Sequence, residues 1–365
     1  MAYTPIDKSD DYFNTVIWTG NDVSPRTITG VNFQPDFTWT KRRDGGDGNT
    51  NHNLYNSVIG AGNNTELSSN GGGAEGASLA SSYGYLSAFA SDGFTLTDGT
   101  DGSYEDLYTN QSGGTYVGWC WKAGGTASSN TAGSITSNVS ANTTAGFSIV
   151  SFTGNATSGA TVGHGLGVAP AMFILKDRDD AYDWRIYFQV LGNTGAMILN
   201  STTSFVTDSS YYNNTTPSST VFTLGNNAGT NGSGRGYIAY CFAEKKGFSK
   251  FGKYTGNGST DGTFVYTGFK PAFLIVKRTD SSGYDWLLYD NKRQVSFNVV
   301  DDFLNPNSSG VETTGNANQS LDFLSNGVKF KGPGASSNGS GATYIYMAFA
   351  ESPFVTSTGI PTTAR

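Results

Sequence analysis

TVIWTGN (residues 15–21), IVSFTGN (149–155) and FGKYTGN (251–257) each place an aromatic residue immediately before Thr-Gly-Asn. Each is followed by a Gly that leads through a Pro into an apolar run ending on Lys and Asp. These runs are GVNFQPDFTWTKRRD (30–44), GLGVAPAMFILKDRD (165–179) and GFKPAFLIVKRTD (268–280), the last with a shorter approach from Gly to Pro. The residue before a proline is pushed toward extended backbone, so each run reads as a strand entered at its Pro. Next, in the second and third copies, comes an aromatic element, YDWRIYF (182–188) and YDWLLYD (284–290); HNLYNSVIG (52–60) fills that slot in the first copy. DGFTL (92–96), STVFTLG (219–225) and NGVKFKG (326–332) follow, and the copies close on TYVGWCW (115–121), GYIAYCF (236–242) and TYIYMAF (343–349). Several elements recurring three times in one order identify an internal repeat, and the fold is to be read from the repeat.

The strands are short and punctuated by Gly, Asn, Asp and Ser, the pattern of a sandwich or barrel. No segment holds a helical period for long. The closing strands are apolar on both faces, as expected of strands covered on both sides. A copy of this length suits a sandwich better than propeller blades, which take about 40–50 residues each. The expected fold class is therefore all-β, with three tandem antiparallel β-sandwich domains of jelly-roll or lectin-like kind. Repeat 1 spans 1–124, with a long Gly-rich loop at 60–87 of the sort that is either functional or disordered. Residues 125–146, rich in Gly, Ser, Thr and Asn, read as a flexible linker or a surface strand. Repeat 2 spans 147–247 and repeat 3 spans 248–365 with a short C-terminal tail. The near absence of a spacer between them predicts that repeats 2 and 3 pack rigidly, whereas repeat 1 is free to swing.

Aromatic residues make up 13% of a chain that is only 36% apolar, so few large rings must fill the cores. The net charge of -7 argues against a basic nucleic-acid face. The opening MAYTPIDKSDDYF lacks the basic-then-apolar pattern of a secretory signal, and no apolar run approaches the ~20 residues needed to cross a bilayer. Synthesis in a cytoplasm without membrane insertion is the expectation. Aligned closing strands put Cys120, Cys241 and Ala348 at one site, which marks both cysteines as small buried residues rather than a disulfide pair.

PIDKSDDYFNTVIWTGN (5–21), GVNFQPDFTWTKRRD (30–44) and GTYVGWCWKAG (114–124) resemble a domain found in tandem in virion structural and tail-fibre-like proteins of marine bacteriophages, of the cyanophage and pelagiphage kind. That resemblance implies a non-catalytic structural protein on the particle surface, a tail fibre or receptor-binding appendage. A capsid or tail decoration protein and a carbohydrate-binding module that recognises host glycans are the alternatives. It implies a virion location and partners that are copies of the same chain, as a trimer, together with other virion proteins and a host surface glycan. It supplies no catalytic residue.

The residues themselves agree with a non-enzyme. His52 and His164 are the only histidines, and no GxSxG accompanies them, so both read as turn residues. Four Cys and His scattered through the chain exclude a zinc site, and no cofactor is expected. The loops DGGDGN (44–49) and DGTDG (98–102) offer oxygen ligands but do not match a calcium loop with its terminal Glu; they read as turns. Lys41, Arg42 and Arg43, and likewise Lys245 and Lys246, read as solvated strand ends. Paired carboxylates for glycoside hydrolysis have no positional signature here. Recognition is best sought at Tyr182, Asp183 and Trp184 and at Tyr284, Asp285 and Trp286, where an exposed ring beside a carboxylate would stack on and hydrogen-bond a sugar. The competing reading is that both Trp residues anchor equivalent strands, which their repetition favours.

Overall fold

The computed structural model describes residues 4–45, 50–294 and 296–353. It is all-β with antiparallel sheets. In every repeat the closing strand lies at the centre of the main sheet, between the opening strand and the strand that follows the Pro. Thr115–Trp121 pairs with Phe13–Thr19 and Phe37–Arg42; Gly236–Phe242 pairs with Phe147–Thr153 and Met172–Asp177; Thr343–Pro353 pairs with Ser249–Thr255 and Phe269–Arg278. The strand of the aromatic element is next in each sheet, at Asn53–Asn56, Arg185–Phe188 and Leu287–Asp290. In repeats 1 and 2 the strand after the Pro starts at Phe37 and Met172, beyond Pro35 and Pro170. In repeat 3 Pro271 lies inside the strand, at a register shift, the position where a residue without an N–H does least harm to a ladder.

Each main sheet is covered on one side by a smaller sheet of its own repeat. Arg26–Thr29, Gly93–Thr97 and Tyr85–Ala90 form the cover of repeat 1, Thr161–Gly163 and Val221–Thr223 that of repeat 2, and Phe264–Tyr266, Gly327–Phe330 and Leu321–Leu324 that of repeat 3. The three sandwich-like interiors are separate. Trp18, Phe94, Tyr116 and Cys120 lie in the first, Phe152, Phe173, Tyr237 and Cys241 in the second, and Tyr254, Leu274, Tyr344 and Ala348 in the third. Cys120 and Cys241 are therefore buried in different cores and free.

The opposite face of each closing strand is also buried, in a fourth core common to all three repeats. Val117, Trp119 and Trp121 meet Ile238, Tyr240 and Phe242 and Ile345, Met347 and Phe349 there. The ring of Phe349 stands 5.1 Å from Phe13 of repeat 1 and 6.0 Å from Phe242 of repeat 2, while Phe37 stacks on Tyr240 at 4.3 Å. Repeat 1 is thus not free to swing: its main sheet supplies one wall of the shared core. The segment 125–146 is strand rather than tether over Ser128–Asn130 and Ser137–Asn142, which extend the sheet of repeat 2 beyond Phe147–Thr153.

Contacts around this core are cyclic. The carbonyl two residues after the Lys of each apolar run accepts a backbone N–H from the preceding repeat in the ring: Glu75 N–H to Arg178, Phe205 N–H to Thr279, and Glu312 N–H to Arg43. Arg178 and Arg43 add ion pairs to the same partners, Glu75 and Glu312. The lysines Lys41, Lys176 and Lys277 are at most 1% exposed. They are held by oxygens rather than carboxylates: Lys41 Nζ donates to both oxygens of Thr50 and, across the junction, to the Ser309 carbonyl, and Lys277 Nζ donates to Thr202, Arg278 and Tyr284 carbonyls. The solvated ends expected at Lys41 and Arg42 are thus buried, and Arg43 is bound to the neighbouring repeat. Their chemistry is the closure of the ring, because an uncapped loop carbonyl in an interface needs a donor.

Two outcomes follow. Burial pushes the Lys41 ammonium down to about 7 and those of Lys176 and Lys277 down to about 8, from an ordinary 10.5. The folded chain then holds fewer protons than the unfolded one above these values, so stability is lost as pH falls through 8 and 7 and recovered toward 10. Thermal melts should show Tm rising from pH 7 to pH 9.5, with a shallower rise in Lys41→Met; a flat profile in the native protein would contradict it. Above pH 10 the trend reverses, since buried tyrosines such as Tyr187, pushed up to about 12, ionise first in the unfolded chain.

Candidate recognition surfaces

The two Tyr-Asp-Trp elements occupy equivalent sites. Trp184 and Trp286 are 0% and 2% exposed. The indole N–H of Trp184 donates to the Ser68 and Gly71 carbonyls of repeat 1, and that of Trp286 to the Ile198 carbonyl of repeat 2. Neither ring has a face left for a sugar. Asp183 and Asp285 accept from Asn200 and Asn307, whose amide oxygens in turn accept the backbone N–H of Trp184 and Trp286. Tyr182 and Tyr284 remain half-buried, lying under the guanidinium groups of Arg235 at 4.9 Å and Arg278 at 4.3 Å. The Asp and Asn side chains brace each Trp, which bolts one repeat to the next, while the Tyr rings pack on an Arg of their own repeat and stay partly exposed.

Repeat 1 makes the same brace with different residues. Asn70 accepts the backbone N–H of His52 and donates to Asn51, so Asn51 and His52 stand where the other copies have Asp and Trp. His52 is fully buried between Trp39, whose indole N–H donates to its Nδ1 at 2.9 Å, and the Asn305 backbone of repeat 3. Burial keeps this imidazole neutral by lowering its pKa well below 6.5. His164 is likewise buried, with Nδ1 accepting from the Leu166 N–H in a turn. The Gly-rich stretch 60–87 is not a free loop. It contains Leu67–Ser68, Ala80–Tyr83 and the start of Tyr85–Ala90, and its carbonyls form the seat for Trp184. Gly72 approaches the Tyr182 carbonyl so closely that a Cβ would lie 3.3 Å from that oxygen.

The third junction holds a buried network of charges. Asp290 and Arg293 are almost fully buried and paired at 2.5 Å; Arg293 also binds Glu312, and Asp290 accepts the indole N–H of Trp119. Buried charges of this kind are tolerated only when fully paired. At the equivalent place, Asn56 of repeat 1 donates to Tyr240 of repeat 2, and Phe188 of repeat 2 packs against Phe251 of repeat 3. One position in the ring is therefore charged, polar and apolar in turn.

An open cleft lies on repeat 1, where Asp22, Asp44, Asp98, Glu105 and Asp106 line a space of about 820 Å³ beside Arg42 and Gln111. Burial, reinforced by a hydrogen bond and the negative charge of Asp22, raises the Asp106 carboxyl to about 6. No group of three or more metal-ligating side chains gathers among the described residues, here or elsewhere. Asp101, in the DGTDG loop, caps the Ser103 and Tyr104 N–H groups as an ordinary turn residue. Of DGGDGN, residues 46–49 lie outside the described residues, while Asp44 binds Arg42.

Two measurements test these assignments. Trp184→Ala and Trp286→Ala should each cost about 3–5 kcal/mol, the usual range for an emptied Trp site, and should lower a single melting transition of the whole chain; separate transitions for separate repeats would contradict the shared core. Side-chain carboxyl NMR should find Asp106 titrating near pH 6 and returning toward the ordinary carboxylate range in Asp22→Asn.

Compared with known proteins, the chain matches one family model, described as a domain of unknown function (DUF7483), over residues 8–353. No curated protein and no solved structure matches it. A single family unit spans all three repeats, in keeping with three sandwich-like layers that share one core. The chain belongs to the DUF7483 family.

Proposed function

We propose that this protein is a non-catalytic structural component of a bacteriophage particle, carried on its surface as part of a tail fibre or receptor-binding appendage. The observation that supports it is the shared core. Recognition elements that the sequence offers for a sugar, the two Tyr-Asp-Trp motifs, are spent on joining repeats, and the buried lysines and the Asp290–Arg293–Glu312 network are spent likewise. A chain that spends these polar groups on joining its repeats suits a mechanical part. The resemblance of its first, second and closing strands to marine phage fibre-like proteins points to the particle as its place.

The three-way contact usual in a fibre is made here by repeats of one chain. In this proposal each repeat descends from one jelly-roll-like sandwich, and a single molecule stands where a homotrimer would stand, on a threefold-symmetric partner among the other virion proteins. A decoration protein of capsid or tail is the second reading, favoured by the same closed body. Among the described residues no helix is long and apolar enough to cross a membrane. Antibodies against the chain should label intact particles of the phage that encodes it, and light scattering of the isolated protein should give the mass of one chain, 38.5 kDa. Absence of the protein from purified particles would overturn the virion assignment, and a mass three times larger would overturn the intrachain trimer.

A further inference from the structure

The outer face of the small sheet of repeat 3 differs from its two counterparts. In all three copies the central residue of the first strand points inward and is apolar: Ile28, Val162 and Val265 are at most 7% exposed. In repeat 2 the flanking Thr161 is bonded to Ser134 and Gly163 is buried against Asn130, whereas the flanking positions are Thr27 and Thr29 in repeat 1 and Phe264 and Tyr266 in repeat 3. These two rings are 43% and 59% exposed. The fold does not require them, since repeat 1 builds the same strand with Thr27 and Thr29 there.

Their surroundings form a shallow platform. Tyr266 is paired across the sheet with Gly327, which has no side chain to block it, and the Phe264 ring leans over that glycine, so that a Cβ there would fall 2.8 Å from two ring carbons. Two residues along a strand place their Cα atoms about 7 Å apart on one face of the sheet. Phe264 faces Lys329, and Lys329 is followed on the next strand by Asp322. The Lys329 ammonium is 2.8 Å from the Asp261 carboxylate, whose side chain is 91% exposed. The platform thus has an apolar floor and a rim of two carboxylates, Asp261 and Asp322, with the ammonium groups of Lys329 and Lys331 beside Asp261.

We infer that Phe264 and Tyr266 form a binding site for a neutral hexose-based glycan. The C–H face of a pyranose is electropositive and matches the negative face of an aromatic ring, while its hydroxyls can both donate to Asp261 and Asp322 and accept from Lys329. A protein partner fits less well: a stable interface buries more than about 1,000 Å², and an apolar one would strip water from the Asp261–Lys329 pair without replacing its hydrogen bonds. Anionic glycans are disfavoured by the chain's net charge of -7. This inference sharpens the receptor-binding part of the proposed role. Because it is tested on isolated protein, its failure leaves the labelling of particles unaffected.

The probe is an array of neutral gluco-, galacto- and manno-oligosaccharides, with sialylated and sulfated glycans alongside. The full-length protein should be retained by at least one neutral class, Phe264→Ala/Tyr266→Ala should lose that retention at least tenfold without a change in Tm, and Tyr266→Phe should keep most of it. Thr27→Ala/Thr29→Ala, at the matching place on repeat 1, should bind as the native chain does. Retention by no neutral glycan, retention only by anionic ones, or equal retention of the double variant would overturn the inference. So would a dimer in light scattering that the double variant abolishes, which would make the platform a contact between chains.

Discussion

Everything in this molecule depends on the closing strand of each repeat being apolar on both faces. A sandwich needs one such face; the second must be covered by something else. Here the second faces of three strands cover one another, through Trp119 and Trp121, Tyr240 and Phe242, and Met347 and Phe349. Burial of apolar surface is the largest favourable term in folding, and two of the three repeats would expose this surface to water if the third were removed. The repeats are therefore parts of one folding unit, although each also has an interior of its own.

Closure imposes a second requirement, that loops meeting at each junction lose their water without losing their hydrogen bonds. The same device answers it three times: a Lys at the end of the apolar run caps loop carbonyls, the residue two further on accepts a backbone N–H from the preceding repeat in the ring, and an indole or imidazole from the aromatic element reaches across. Around that common frame the side chains have diverged. The junction of repeats 3 and 1 is the charged one, with Asp290, Arg293 and Glu312 buried together, whereas its counterparts are a single amide-to-tyrosine bond and an aromatic contact. Divergence of this kind forbids the repeats from exchanging places, so the order of repeats in the chain is also their order in the ring.

Outward positions are under no such constraint, and they are where the repeats differ in ways that packing does not explain. The acid-lined cleft lies on repeat 1, the extra pair of edge strands on repeat 2, and the aromatic platform of Phe264 and Tyr266 on repeat 3. Three sandwich-like layers that share a core have been freed to carry three different surfaces.

The threefold repeat, the strands at each Pro, the all-β class and the buried, unpaired state of Cys120 and Cys241 were all legible in the sequence, because each rests on local pattern that recurs at matching sites. The burial of Trp184 and Trp286 was legible from the same recurrence. Lys41, Lys176 and Lys277 carried an equal signal, one lysine at one place in every copy, but charge next to a strand end reads locally as solvated. What the chain could not display is which surfaces face each other across hundreds of residues. That is why the looseness read into residues 125–146 and 60–87 was reversed: Gly, Ser and Asn mark backbone that can bend, and only the neighbouring repeat decides whether it is held. Sequence set the period and the two-faced strands; tertiary structure decided that the second faces meet each other, since burial is non-directional and its partner is fixed only by the closed shape.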